Sequence, residues 1–179
     1  HATHVAGIMG ARGNDNSQVI GINWDAKIMS VRVLGYGGGD LTSRVLAGYG
    51  YILKQKQLWL ESNGELGANI VATNSSFGVD FGQCESGEYP AWNEMYNAMG
   101  EVGILSAAAT ANRGIDIDAK GDVPTACSSD FIISVTNTNN QSMKASSAAY
   151  GLTQIDIGAP GTSILSTVLN AGTGSKTGT

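Results

Sequence analysis

Charge is scarce in this sequence. Lys, Arg, Asp and Glu make up 14% of the 179 residues, against roughly a quarter in an average domain. The charge present leans acidic, with a formal net charge of -5 and a pI near 4.8. A surface for nucleic acid or an anionic membrane would be basic, so the balance argues against both partners. No apolar run approaches the roughly 20 residues that a membrane-spanning helix needs. No secretory signal segment is present, and a chain that opens on His1 without Met is expected to have been cut from a longer one. Cysteine is limited to Cys84 and Cys127, which allow one bridge or two thiols. The glycine-rich stretch GYGGGD (35–40) lacks both the Lys-Ser/Thr of a phosphate-binding P-loop and the glycine spacing of a dinucleotide fingerprint. Its three consecutive glycines instead allow another backbone to approach closely, or form a mobile turn.

Glycine itself is abundant, at 25 of 179 residues, about twice the usual roughly 7%. With so little charge, this composition suits a compact fold with many tight turns. The length is that of one domain able to bury a core. No repeat, low-complexity tract or linker divides it.

Short apolar runs alternate with helical spacing along the chain. KIMSVRVL (27–34) reads as a buried strand ending at Gly35. LTSRVLAGYGYILKQKQLW (41–59) spaces its apolar residues for a helix, with Asp40 as N-cap. NIVATNSSF (69–77) is the next strand. PAWNEMYNAMGEV (90–102) is a helix with Pro90 in its first turn. ILSAAATAN, FIISVTNT and QIDIGAPG follow as strands. Mostly apolar strands are those covered on both faces, as in a parallel sheet between helices. The predicted class is therefore α/β, a doubly wound, mostly parallel sheet flanked by helices. In such sheets a site lies beyond the carboxyl ends of the strands, which directs attention to GYGGGD, NSSFGVD, TANRG and GAPG.

Two places carry candidate chemistry. His1 and His4 read as a catalytic base at a helix start, as a metal pair, or as two ordinary surface or core histidines. The metal reading is weak, because a zinc site takes three or four ligands and no others lie nearby in sequence. In TANRG, Asn112 follows a small-residue strand. Its amide is suited to donate to a developing oxyanion, or Asn and Gly simply make a turn.

Taken together the motifs resemble the subtilisin-like serine peptidases, the subtilases. His1-Ala2-Thr3-His4-Val5-Ala6-Gly7-Ile8 resembles the family's His-Gly-Thr-His-Val-Ala-Gly motif, whose first His is the catalytic base. SVRVLGYGGG resembles the strand and loop that follow. NSSFG resembles the strand that pairs with substrate, and SAAATAN the segment whose Asn is the oxyanion donor. IDIGAPGTSILSTV resembles the stretch upstream of the nucleophile, and TGT the start of Gly-Thr-Ser-Met-Ala. Four features depart from the pattern, the first being Ala2 in place of the usual Gly. Thr110-Ala111 stands where Gly is common, Phe77 replaces a smaller aliphatic, and the connection holding Cys84 is longer.

The resemblance implies an extracellular or cell-envelope serine endopeptidase acting on protein or peptide substrates through an Asp-His-Ser triad. Residues 1–179 would then be part of its catalytic domain. They would carry the base His1 and the oxyanion donor Asn112, and lack the triad Asp before His1 and the nucleophilic Ser after Thr179. Alone, the chain is expected to be inactive. Substrate would lie extended between Gly37, Gly38 and Gly39 on one side and Ser76, Phe77 and Gly78 on the other, a form of strand addition. The resemblance also brings Cys84 and Cys127 to the edge of one specificity pocket, implying a disulfide. Calcium is common in the family, but GNDNSQ (13–18) has few carboxylates and no EF-hand spacing. The expectation is no cofactor and no assigned metal. The alternative is a catalytically inactive binding domain on the same fold.

Overall fold

The structure is a computed structural model and describes residues 1–16, 18–35, 41–86 and 88–179. The chain begins with α1 (Ala2–Gly10) and, after an irregular stretch, α2 (Thr42–Glu61). There follow β1 (Ala72–Ser75), β2 (Val79–Asp80), α3 (Pro90–Glu101) and β3 (Leu105–Ala109). Next are a short α4 (Ile117–Lys120), β4 (Asp122–Val123), β5 (Ile132–Thr138) and β6 (Ile157–Pro160). The last two strands are β7 (Ile164–Val168) and β8 (Gly172–Lys176).

Four strands form a parallel sheet in the order β1-β3-β5-β6. Helices α2 and α3 pack on each other, and α3 packs on β3. The α/β class and mostly parallel sheet therefore match the sequence pattern. All seven residues of β5 are buried or half-buried, as expected of a central strand. The edge strands β1 and β6 are not covered on both faces.

Two antiparallel ribbons stand beside the sheet. The first is β2 with β4, and the second is the β7–β8 hairpin. The hairpin lies on α1. Gly7 permits this approach, because a Cβ there would overlap Thr167 Oγ1 and Ser166 Oγ and stand 3.1 Å from the Thr167 nitrogen. Ser166 Oγ donates to the His4 carbonyl at 2.7 Å and Thr167 Oγ1 to the Thr3 carbonyl at 2.8 Å.

The main core gathers Tyr49 of α2 with Trp92, Tyr96 and Met99 of α3, and with Ile104, Ala108, Val123 and Ile132. Burial of the two tyrosine hydroxyls is offset by a shared network. Tyr49 Oη lies 2.8 Å from Tyr96 Oη and 2.6 Å from Ser75 Oγ. Desolvation holds both phenols above their ordinary pKa.

One element differs from its sequence reading. Residues 27–34 join no strand ladder among the described residues, and Ile28 and Met29 are 46% and 42% exposed. Only Val33 and Leu34 reach the main core. An apolar run becomes a strand only where a neighbouring backbone completes its hydrogen bonds. The structure places Leu41 at the N-cap of α2, one residue beyond the expected cap Asp40, which lies outside the described residues.

Candidate functional site

The motif HATHVAG folds as the start of α1. The His1 carbonyl accepts from His4 N at 2.9 Å and Val5 N at 3.1 Å, opening the helix. The two histidines separate here. His1 is exposed, whereas His4 is 4% exposed. His4 Nε2 lies 3.0 Å from the Ile164 carbonyl and 3.1 Å from the Gly174 carbonyl, one on each strand of the hairpin. Both partners are acceptors, so Nε2 carries the proton and donates. His4 ties α1 to the hairpin, and only His1 is available to a ligand.

Asn112 stands three residues beyond β3, at the carboxyl end of the sheet. Its side chain is oriented from one end. Oδ1 accepts from the Thr179 nitrogen at 2.9 Å, which leaves the Nδ2 donors for a ligand. Thr179 follows β8 by three residues, and Lys176 at the end of β8 lies beside the His1 backbone nitrogen. The run 176–179 thus joins the surroundings of His1 to those of Asn112. Three extended peptide units span at most about 11 Å.

A cleft opens beside Asn112. Ser76, Phe77 and Gly78 form one wall, and Ala109, Thr110 and Ala111 another, with Thr179 at its edge. Gly78 allows the wall to close on β4, since a Cβ there would overlap the Val123 carbonyl. Phe77 also packs edge-on against Trp92, with ring centroids 6.5 Å apart. The expected wall residues Ser76, Phe77 and Gly78 and the expected donor Asn112 therefore meet in one place. Gly37, Gly38 and Gly39 lie outside the described residues.

Two cleft residues escaped notice as candidates in the sequence. Asp122 is 1% exposed and Thr110 is 2% exposed, and both line the cleft. The Asp122 carboxylate accepts from Ala111 N and Thr125 Oγ1, each at 2.7 Å. Desolvation, with a smaller push from nearby Asp80, raises its pKa to about 6 against these two hydrogen bonds. Asp80, also in the cleft, pairs with Arg113 at 2.5 Å. The signal in the sequence is an acid set between Gly121 and Val123-Pro124.

Cys84 and Cys127 are joined as a disulfide with their Cα atoms 5.0 Å apart. Both belong to the core cluster that holds Val123. Among the described residues no group of three or more His, Cys, Asp or Glu side chains is placed to hold a metal ion.

The subtilase family model matches residues 1–179. The chain belongs to the subtilase family. Its relatives include an extracellular protease of Xanthomonas campestris pv. campestris, 34% identical over 97% of this chain. Another is a cell wall-associated protease of Bacillus subtilis, 31% identical over the whole chain. This subtilase chain spans only 27% and 17% of those two relatives' lengths. Among solved structures, a cold adapted subtilisin-like serine proteinase superposes with a TM-score of 0.72 at 23% identity. That superposition covers 99% of this chain and 55% of the other. The epidermin leader peptide processing serine protease from Staphylococcus aureus gives 0.76 at 22% identity, covering 99% and 48%. These likenesses establish a subtilisin-like fold.

Proposed function

We propose that this subtilase chain carries the general base, His1, and an oxyanion donor, Asn112, of an extracellular serine endopeptidase. The observation that carries this reading is the hydrogen bond from the Thr179 nitrogen to Asn112 Oδ1, with Lys176, three residues earlier, beside the His1 backbone nitrogen. A nucleophilic serine next to Thr179 would adjoin Asn112, whose Oδ1 accepts from the Thr179 nitrogen.

The chemistry follows from that arrangement. His1 takes the seryl proton as the oxygen attacks the scissile carbonyl. Nδ2 of Asn112 and the serine's own backbone N–H hold the tetrahedral oxyanion. His1 then returns the proton to the departing amine, and water hydrolyses the acyl-enzyme. A peptide lying extended along Ser76, Phe77 and Gly78 meets backbone at Gly78 rather than a side chain, which favours strand-like pairing. The names of the relatives support a site of action outside the cell. The Cys84–Cys127 disulfide supports it independently, because such bonds persist in oxidising compartments.

The test uses the complete protein with a chromogenic peptide and a fluorophosphonate probe for an activated serine. We expect cleavage and probe labelling, both lost in His1→Ala. Asn112→Ala should lower turnover about 10²- to 10³-fold with little change in KM, the range known for removing one oxyanion donor from subtilisin. Residues 1–179 expressed alone should cleave nothing. A complete protein that binds peptide but neither cleaves it nor takes the probe is a binding domain, and the reading fails.

A further inference from the structure

We propose that the cleft beside Asn112 selects substrates with lysine or arginine immediately before the scissile bond, and that Asp122 and Thr110 read that residue. This rests on the peptidase reading above. The carbonyl whose oxygen Asn112 would hold belongs to the residue preceding the scissile bond. That residue's side chain leaves from the adjacent Cα, so it enters the cleft that Asn112 lines.

The cleft is built for a donor. Among the described residues, two carboxylates, Asp80 and Asp122, line it, and no Lys, Arg or His does. Arg113 is engaged by Asp80. Asp122 is 1% exposed, and its hydrogen-bond donors among the described residues, Ala111 N and Thr125 Oγ1, are neutral. A buried carboxylate without a counter-charge is costly, and an entering cation removes the cost. Thr110 supplies an independent observation. Its Oγ1 is buried with no hydrogen-bond partner among the described residues, in the wall of the same cleft. Ammonium and guanidinium groups carry only donors, so either one satisfies both the carboxylate and the hydroxyl oxygen. An aromatic or aliphatic side chain would leave both unmatched, and an acidic one would be repelled. Phe77, Ala109 and Ala111 offer apolar surface to the alkyl stem of a basic side chain, which packs well on such walls while its head stays polar.

The experiment measures kcat/KM of the complete protein at pH 8 on four otherwise identical peptide p-nitroanilides. They end in Lys, Arg, Phe or Glu before the cleaved bond. Lys or Arg should exceed Phe by at least about tenfold, with Glu lowest. In Asp122→Asn, which keeps an oxygen acceptor for Ala111 N and Thr125 Oγ1, the Lys-to-Phe ratio should fall at least about tenfold. In the unmodified protein the same ratio should fall between pH 8 and pH 5 as Asp122 is protonated. The charged groups near it are Asp80 and the Arg113 that pairs with Asp80. Taking a ratio cancels the titration of His1, which acts on every substrate alike.

Phe ranking above Lys and Arg would overturn the proposal while leaving the peptidase reading intact. A ratio unchanged in Asp122→Asn would do the same. If that variant does not fold, a pH-independent ratio in the unmodified protein overturns it equally. Failure to cleave any of the four, with no fluorophosphonate labelling, is instead failure of the peptidase reading.

Discussion

Asp122 should weaken the fold at neutral pH, and replacing it by asparagine should make the protein more stable. An ordinary unfolded Asp titrates near 3.9, whereas Asp122 in the folded protein titrates at about 6, chiefly because burial penalises its charge. Between these values the folded state binds more protons than the unfolded one. Stability contributed by this group is therefore fully present below about pH 4 and is lost as pH rises through 6. A shift of about two units corresponds to roughly 3 kcal/mol. Asparagine is neutral throughout, and its Oδ1 can accept from the same two donors, Ala111 N and Thr125 Oγ1. We expect Asp122→Asn to match the parent within about 0.5 kcal/mol at pH 4 and to exceed it by about 2–3 kcal/mol at pH 8. The assay is urea unfolding followed by circular dichroism at both pH values. A His1→Ala background in both proteins prevents self-cleavage. The difference between the two proteins cancels the other carboxylates. An Asn variant less stable than its parent at pH 8, or a gap that does not change with pH, would refute the reasoning.

Other expectations concern the frame around the site. Replacing Cys84 and Cys127 together by alanine opens a link across 43 residues, at a cost of about 3–4 kcal/mol in the chain-entropy model. Intact mass after alkylation of the unfolded, unreduced protein should show no free thiol, and two modified cysteines would remove the bond from the account. Gly7→Ala places a methyl group against Thr167 and Ser166 and should cost about 1–3 kcal/mol. An unchanged melting temperature would mean that the hairpin does not rest on α1. Ala171 holds a left-handed conformation, with φ at 56°. Ala171→Gly should accordingly stabilise the protein by about 0.5–1 kcal/mol, and a lower melting temperature would contradict the turn geometry.

Local order was legible wherever short-range physics decides it. The helical spacing of apolar residues marked α2 and α3, and Pro90 occupies the first turn of α3 as its missing N–H requires. The apolar runs that became β1, β3, β5 and β6 were readable because each is bounded by residues that end a strand. The motifs around His1 and Asn112 were readable as members of a known pattern. What escaped was decided by partners distant in sequence. The 27–34 run has the composition of a strand but no ladder among the described residues. The β7–β8 hairpin turns at 169–171 through Asn170 and Ala171 with positive φ, without the Asn-Gly pair that announces such turns. His1 and His4 have equivalent claims by spacing alone. The hairpin carbonyls 160 and 170 residues away make His4 a brace and leave His1 exposed. Asp122 looks like any surface acid in the sequence. Only the packing of β4 against the segment after β3 buries its carboxylate among neutral donors, and that environment is what raises its pKa. The sequence by itself determined the helices, most of the sheet and the motif residues, because these follow from neighbours along the chain. The tertiary structure alone decided which polar groups are buried, paired or exposed, because burial and charge depend on groups that only folding brings together.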